Sequence, residues 1–504
     1  MTKSPVHRII PALRVRQWQS GWDKVAFDPS EHRSRPLEHF FLTSIPAKEL
    51  RSLSGIARRQ AKNASPRAND LGIQRQHEPE RSSEISRFVE FGFPWSTLSE
   101  SKRKSADFHD LRKPGWLPTA IVVNILQPED LRNELSVAEN DLIRLNPDSN
   151  SFSLPYEKWL PTWQPVSLPP LEVIDGQHRL WAFDSSNPRD DFDLPVVAFF
   201  GLDVSWQAYL FWTINIKPKR INPSLAFDLY PLLRAEDWLD RGEGHSIYRE
   251  TRSQELTETL WAHQGSPWYD RINMLGEKLS PWVSQSAWIK SLMATMVRPW
   301  EGRSSKIGGL FGSRLKEDGE VLGWSRAQQA AFLIFGWQAL LSAFKASSAD
   351  WAQNLRQLSN LDDEKPKDDA SFYGSHTLIN TDQGVRGYLH ILNDIVFLLA
   401  APLKLNQWEL GENASANDTE AVTRLVSSLG KQPVAQHVAK LATHLAQFDW
   451  RTSSTPGLSE DLRRSKLVFR GSGGYKEIRT QLLEKVAEVD DEVGALAKRL
   501  LAPS

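Results

Sequence analysis

Leu171-Glu-Val-Ile-Asp-Gly-Gln-His-Arg-Leu-Trp-Ala-Phe183 is a short apolar run that breaks at Asp175-Gly176. It predicts a strand over 171–174, a tight turn, and a helix whose first turn carries Gln177, His178 and Arg179. Glycine lets a backbone come close to a ligand, the first N–H groups of a helix lack internal partners, and His and Arg within one turn add donors aimed at an anion. The combination suits a phosphate. The bland alternative is a capped helix start, with His178 bonded to a neighbouring strand and Arg179 paired to Asp175 or Asp184.

Outward from this turn, the flanking runs set the fold class. Thr119-Ala-Ile-Val-Val-Asn-Ile-Leu126 and Leu194-Pro-Val-Val-Ala-Phe-Phe200 are rich in β-branched residues and predict buried strands, as does Phe40-Phe-Leu-Thr-Ser-Ile45. Helices are predicted over 47–61 and 84–91. Strands alternating with helices argue for an α/β or α+β domain over residues 38–235, preceded by an irregular arm over 1–37. The stretch 146–170 holds six prolines and reads as an ordered excursion rather than a regular element.

Beyond 235 the pattern turns helical, so residues 236–504 are expected to form a mainly α-helical C-terminal domain. Ser325 is a candidate N-cap for a long helix to 346, and helical spacing recurs over 383–399, 420–429, 434–448 and 475–501. Residues 360–369 read as a charged loop. Trp261, Trp268, Trp282, Trp288, Trp300, Trp324 and Trp337 recur at irregular intervals and are read as core and interface anchors.

Composition narrows the setting. A chain of 504 residues exceeds what one core usually serves, and 40% hydrophobic residues with twenty Trp suffice for well-packed cores. No stretch approaches the ~18–20 apolar residues of a membrane span, no apolar signal segment follows Met1, and cysteine is absent, so a cytoplasmic protein is expected. The net charge of −1 hides an asymmetry: residues 1–104 carry nineteen Lys or Arg against eleven Asp or Glu, net +8, leaving −9 for the rest. Arg51, Arg58, Arg59 and Arg75, with Arg81, Arg87 and Lys102-Arg103-Lys104 nearby, are candidates to track the backbone of double-stranded DNA; a solvated basic helix is the alternative.

Other motifs are weaker. Arg470-Gly-Ser-Gly-Gly-Tyr-Lys476 lacks the Gly-Lys-Ser/Thr ending of a phosphate loop and reads better as a turn into the last helix. The twelve His residues show no zinc-binding spacing, and neither a Gly-x-Ser-x-Gly elbow nor a helix-turn-helix with a basic second helix is evident.

Asp175-Gly-Gln-His-Arg179 is the namesake motif of the DGQHR-domain proteins, which include DndB of DNA phosphorothioation clusters and similar proteins of 7-deazaguanine DNA-modification clusters. The chain resembles them beyond the motif: Leu210-Phe-Trp-Thr-Ile-Asn-Ile-Lys-Pro-Lys-Arg-Ile-Asn222 is similar to the family's Phe-x-x-Ile-Asn segment and its following basic residues. Phe41-Leu-Thr-Ser-Ile-Pro46 and Ile73-Gln-Arg75 sit where such domains carry similar elements. The likeness spans about residues 38–235 and does not reach the helical half.

The resemblance implies a fold similar to the ParB and sulfiredoxin superfamily, in which a strand-to-helix turn holds nucleoside-triphosphate phosphates. Carried over, Gly176 makes the close approach to phosphate, His178 and Arg179 donate to it, and Gln177 positions it, with Asn215 and Lys217 or Lys219 closing the site. Asp175 caps the helix, holds Mg²⁺ against the nucleotide, or orients an attacking water.

The resemblance leaves two functional classes. One is an ATP-hydrolysing or DNA-nicking component of a DNA-modification or anti-phage system, with Asp175, His178 and Arg179 catalytic. The other is a DndB-like transcriptional regulator that binds DNA without turnover. The helical half is more than a simple repressor needs, which favours the first class, and is expected to dock a modification enzyme of the same system; self-assembly stays open. If hydrolysis occurs, Asp175→Ala is expected to cut turnover while sparing nucleotide binding, and Arg179→Ala to weaken binding itself.

Overall fold

Strands rich in apolar residues bury against a core, and three of the runs noted above lie in one sheet here. The architecture comes from a computed structural model, which describes residues 7–56, 78–132, 134–183, 192–215, 222–234, 239, 246–299, 307–312, 322–362, 368–409 and 411–502. The chain divides into two compact units, 1–220 and 221–504. The first is a mixed α/β unit built on sheets and the second is helical.

The strands of the first unit are β1 (Ile9–Pro11), β2 (Leu13–Arg16), β3 (His39–Pro46), β4 (Ser54–Gly55), β5 (Ile121–Ile125), β6 (Arg144–Asn146), β7 (Ser151–Ser153), β8 (Leu171–Asp175) and β9 (Asp193–Phe200). Six of them form a sheet in the order β2-β3-β9-β5-β8-β4, with β9–β5 and β8–β4 parallel and the other pairs antiparallel. A second sheet has the order β1-β7-β6. Around them lie the helices α1 (Ala47–Leu53), α2 (Pro79–Phe91), α3 (Glu100–Arg103), α4 (Gln177–Leu180) and α5 (Val204–Asn215). Phe41, Ile121, Val123, Val173, Leu180 and Val196 are among the buried residues of this core.

Several expectations are corrected. Among the described residues, the stretch 7–37 is not the irregular arm expected, because β1 pairs with β7 and β2 pairs with β3. Pro11 ends β1 at a sheet edge, where a missing N–H costs nothing in the ladder. The proline-rich excursion contributes β7, entered through Asn150 in the left-handed region (φ 45°). The helix expected over 47–61 stops at Leu53: Ser54 is extended, its hydroxyl donates to the Leu50 carbonyl at 2.6 Å, and Ser54-Gly55 runs beside β8. The helix expected over 84–91 begins earlier, at Pro79, where proline suits the first helical position.

In the helical unit Ser325 caps the helix Arg326–Ala346 in a reciprocal capping box with Gln328. The helix Asp350–Asp362 runs into the stretch read as a charged loop, and Asp369 then caps the short helix Ala370–Tyr373. The single helix expected over 475–501 is two, Gly474–Ala487 and Glu492–Leu501, because Asp491 turns out of the helix and accepts the Gly494 N–H at 2.8 Å. Trp268, Trp288 and Trp337 meet edge to face, with centroids 5.1–5.4 Å apart, in the buried centre of this unit. Among the described residues no single helix is long and apolar enough to cross a membrane.

One buried charge cluster is expected to make the stability of this unit depend on pH. Asp394 is buried and accepts two hydrogen bonds from Arg479, at 2.6 and 3.0 Å. Burial, opposed by Asp394 and reinforced by Arg479, Arg298 and Arg386, pushes the nearby His390 imidazole down to about 4. The unfolded chain takes up that proton below about pH 6.5, whereas the folded unit resists it, so stability present at neutral pH is expected to fall as pH drops toward about 4. Thermal melts of the wild type and His390→Gln across this window check it: the variant should show the shallower decline, and parallel curves would contradict the assignment.

Candidate functional site

The strand β8 ends on Asp175, and Gly176 turns the chain with φ 94°. A side chain there is excluded twice. The left-handed backbone disfavours it, and a Cβ would lie 2.8 Å from Ile121 Cδ1 and 2.9 Å from Arg179 Nη2. The glycine therefore answers to packing against β5 before any ligand is considered. The helix beyond it, α4, is a single turn, closed by Leu180 N–H to the Gly176 carbonyl at 3.0 Å and Trp181 N–H to the Gln177 carbonyl at 2.8 Å. One turn carries little macrodipole, so the anion attraction expected from a helix N-terminus must come from side chains instead.

Asp175 does not cap this turn. Its Oδ2 accepts from Arg179 Nη2 at 2.9 Å and its Oδ1 from Asn215 Nδ2 at 3.2 Å. Arg179 also donates to the Ala120 carbonyl at 3.2 Å and to the Thr119 hydroxyl. The guanidinium thus clasps the end of β8 to the entry of β5, which is the ion pair foreseen as the bland alternative. Only Nε of Arg179 is buried without a hydrogen bond. Asn215, the last residue of α5, is tied to Asp175 and to the Phe211 carbonyl at 2.9 Å.

Gln177 is 6% exposed and its Oε1 has no hydrogen-bond partner. His178 is buried, and its carbonyl accepts from the Ser82 hydroxyl at 3.1 Å, which fastens α2 to the motif turn. These residues line a cavity of about 300 Å³ whose other walls are Arg81 and Ile85 from α2 and Phe211 and Ile214 from α5. That volume is at the low end for small-molecule sites, enough for the phosphates of a ligand rather than for a whole nucleotide.

Arg81 is the site residue that sequence reading placed elsewhere, on a general basic surface. It is exposed and makes no ion pair among the described residues, which leaves its five donors for a ligand. Its spacing to Ile85, one helical turn, was visible in the sequence. The packing of α2 on the motif turn was not.

The DNA-contact candidates are only partly observable. The Arg51 guanidinium lies 3.9 Å from the Trp181 ring centroid, so it braces the motif turn from outside. Arg58, Arg59, Arg75, Lys217 and Lys219 lie outside the described residues. In the Lys102-Arg103-Lys104 run, Arg103 donates to the Leu98 carbonyl at 2.7 Å and Lys104 pairs with Glu100 at 2.9 Å. Arg470 to Lys476 form an exposed turn entering the helix Gly474–Ala487.

For Mg²⁺ the donor set is thin. Asp175 is the one carboxylate lining the cavity, both its oxygens already accept N–H bonds, and no group of three His, Asp or Glu suited to a metal occurs among the described residues. The residues present do not fit a metal ion held by the protein itself. A phosphate is fitted by the cations: Arg81 supplies a guanidinium and Arg179 Nε a further donor, whereas the unpartnered Gln177 Oε1 is an acceptor and suits a hydroxyl or N–H of the ligand. No family model, curated protein or solved structure matches the chain.

Proposed function

We propose that the N-terminal unit binds the phosphates of a nucleoside triphosphate, ATP in the simplest case, at the Asp175 to Arg179 turn. In this reading the protein is a DNA-acting component of a bacterial DNA-modification or anti-phage system. The observation that carries the binding step is a cavity in which Arg81, without an ion-pair partner among the described residues, faces the buried Gln177 amide beside His178 and Arg179. The DNA-acting role and the ParB-like fold rest on the resemblance of the motif and of the segment 210–222. Double-stranded DNA and a modification enzyme of the same system are the partners this implies.

In the hydrolytic form of the reading, Arg81 and His178 stabilise charge on the transferring phosphoryl group, and Arg179 acts mainly by holding the turn. A second reading, a regulator that binds without turnover, is favoured by one observation: Asp175 is tied into the turn, with each oxygen already accepting an N–H, from Arg179 and Asn215. Phosphate release from ATP with Mg²⁺, with and without double-stranded DNA, separates the two. Turnover abolished in His178→Ala supports the hydrolase; no turnover under any condition, with ATP still bound, supports the regulator. Turnover that survives unchanged in His178→Ala and Arg81→Ala would place the chemistry elsewhere.

A further inference from the structure

A second cavity of the N-terminal unit, about 440 Å³, lies on the other side of α5 and has a different chemistry. Phe211, Ile214 and Asn215 of that helix line the phosphate cavity, whereas Trp206 and Tyr209 line this one. Trp18, Trp22 and Phe27 come from the segment between β2 and β3, and Phe40 from β3. Trp18 meets Trp22 edge to face at 5.5 Å and stacks on Phe27 at 6.2 Å, and Phe27 continues to Trp206 at 6.2 Å. This is a walled aromatic recess. It stays wet: Trp22 is 44% and Tyr209 57% exposed, a large apolar surface to leave to solvent without a use.

Its rim is polar. The Gln17 amide, the His39 imidazole and the Tyr209 hydroxyl make no hydrogen bond among the described residues, and Gln17, His39 and Tyr209 all line the recess. Arg16, opposite His39 in the β2–β3 ladder, pairs with Glu38 at 3.1 Å, and Arg35, whose guanidinium sits 5.1 Å from the Trp18 centroid, pairs with Asp23 at 2.6 Å and with Glu38 at 3.3 Å. Arg14, close enough to add to burial in holding the His39 imidazole below its ordinary range, makes no ion pair among the described residues.

We propose that this recess takes a nucleobase, stacked on the aromatic walls and read along its edge by Gln17, His39 and Tyr209. Every base has a π-face, and stacking on aromatic side chains is the common way proteins hold an unpaired one. An aliphatic ligand would have no use for rings with hydrogen-bonding groups at their rim. The base comes either from a free nucleoside or from a strand that presents it unpaired or extruded.

The test uses the full chain at fixed salt, with adenosine, a single-stranded twelve-nucleotide DNA, and the same oligonucleotide made abasic. Loss of a stacking partner, in Trp22→Ala, should weaken binding roughly 5- to 150-fold, and Trp22→Phe should restore most of it. Adenosine binding points to a free nucleoside as the source. Binding of the base-containing strand alone, with the abasic strand much weaker, points to DNA. Abasic and base-containing strands bound equally, with no adenosine binding, or Trp22→Ala indistinguishable from wild type for every probe, would overturn the proposal. Inorganic triphosphate binding is read in the same variants and should be unchanged, so failure here is separable from failure at the phosphate cavity.

Discussion

Glu172→Ala is expected to lower the stability of the N-terminal unit by roughly 3–5 kcal/mol, the range for removing one partner of a buried ion pair. Glu172 sits on β8, three residues before the motif aspartate, and is 5% exposed. Arg132 grips it with two hydrogen bonds, Nε to Oε1 at 2.8 Å and Nη2 to Oε2 at 2.6 Å. Truncation leaves the guanidinium buried without its counter-charge, and that desolvation penalty is most of the loss. Replacing both residues at once, as Arg132→Met with Glu172→Leu, should recover a large part of it. Urea unfolding of the three variants measures this; a loss below about 1 kcal/mol in Glu172→Ala would show that the pair is not buried in solution as it is here.

Asp175→Ala and Arg179→Ala are expected to fail together. The simple division of roles read from the sequence, with Asp175 serving turnover and Arg179 serving binding, assumed that the two side chains act separately. They are hydrogen-bonded to each other, and Arg179 also holds Thr119 and Ala120. Because both side chains are about one-fifth exposed, loss of the pair should cost about 2 kcal/mol rather than the full buried value. Either substitution frees the turn and should weaken nucleotide binding. The double variant should be little worse than the worse single one, giving a coupling of about 0.5–3 kcal/mol in a cycle. Effects that add independently would restore the separate roles.

The parts of the fold that were legible in the sequence are those where composition and period agree. The runs behind β5, β8 and β9 carry β-branched residues, β5 and β8 mostly buried and β9 buried at alternate positions, and each forms close to where its pattern predicts. Ser325 announced its helix because a capping box is a local device. Elements that depend on a distant partner were not legible: β4 is two residues long and exists only beside β8, and β1 and β2 are fixed by pairing with β7 and β3. The break before Glu492 was available in principle, since Asp491 is a good cap, but continuous helical spacing outweighed it.

The site divides along the same line. Asp175 to Arg179 are adjacent in sequence, so their joint appearance in one cavity required only a turn. Asn215 entered through the second quoted segment and does reach Asp175. Arg81 was visible only as one more basic residue, because its place opposite the turn depends on how α2 packs, with Ser82 bonded to the His178 carbonyl. The roles shifted for a related reason. A motif names residues but not their hydrogen bonds, and here Arg179 is engaged as a clasp while Arg81 faces the cavity.

Calorimetric titration of ATP, and of inorganic triphosphate as a base-free probe, into the wild type and Arg81→Ala tests the phosphate cavity most directly. The account predicts that both ligands bind the wild type and that Arg81→Ala, which retains the wild-type melting temperature, weakens both by about 10- to 150-fold, the loss of a charge-assisted contact. Equal affinity in the two proteins, or no binding of either ligand to the wild type, would contradict it.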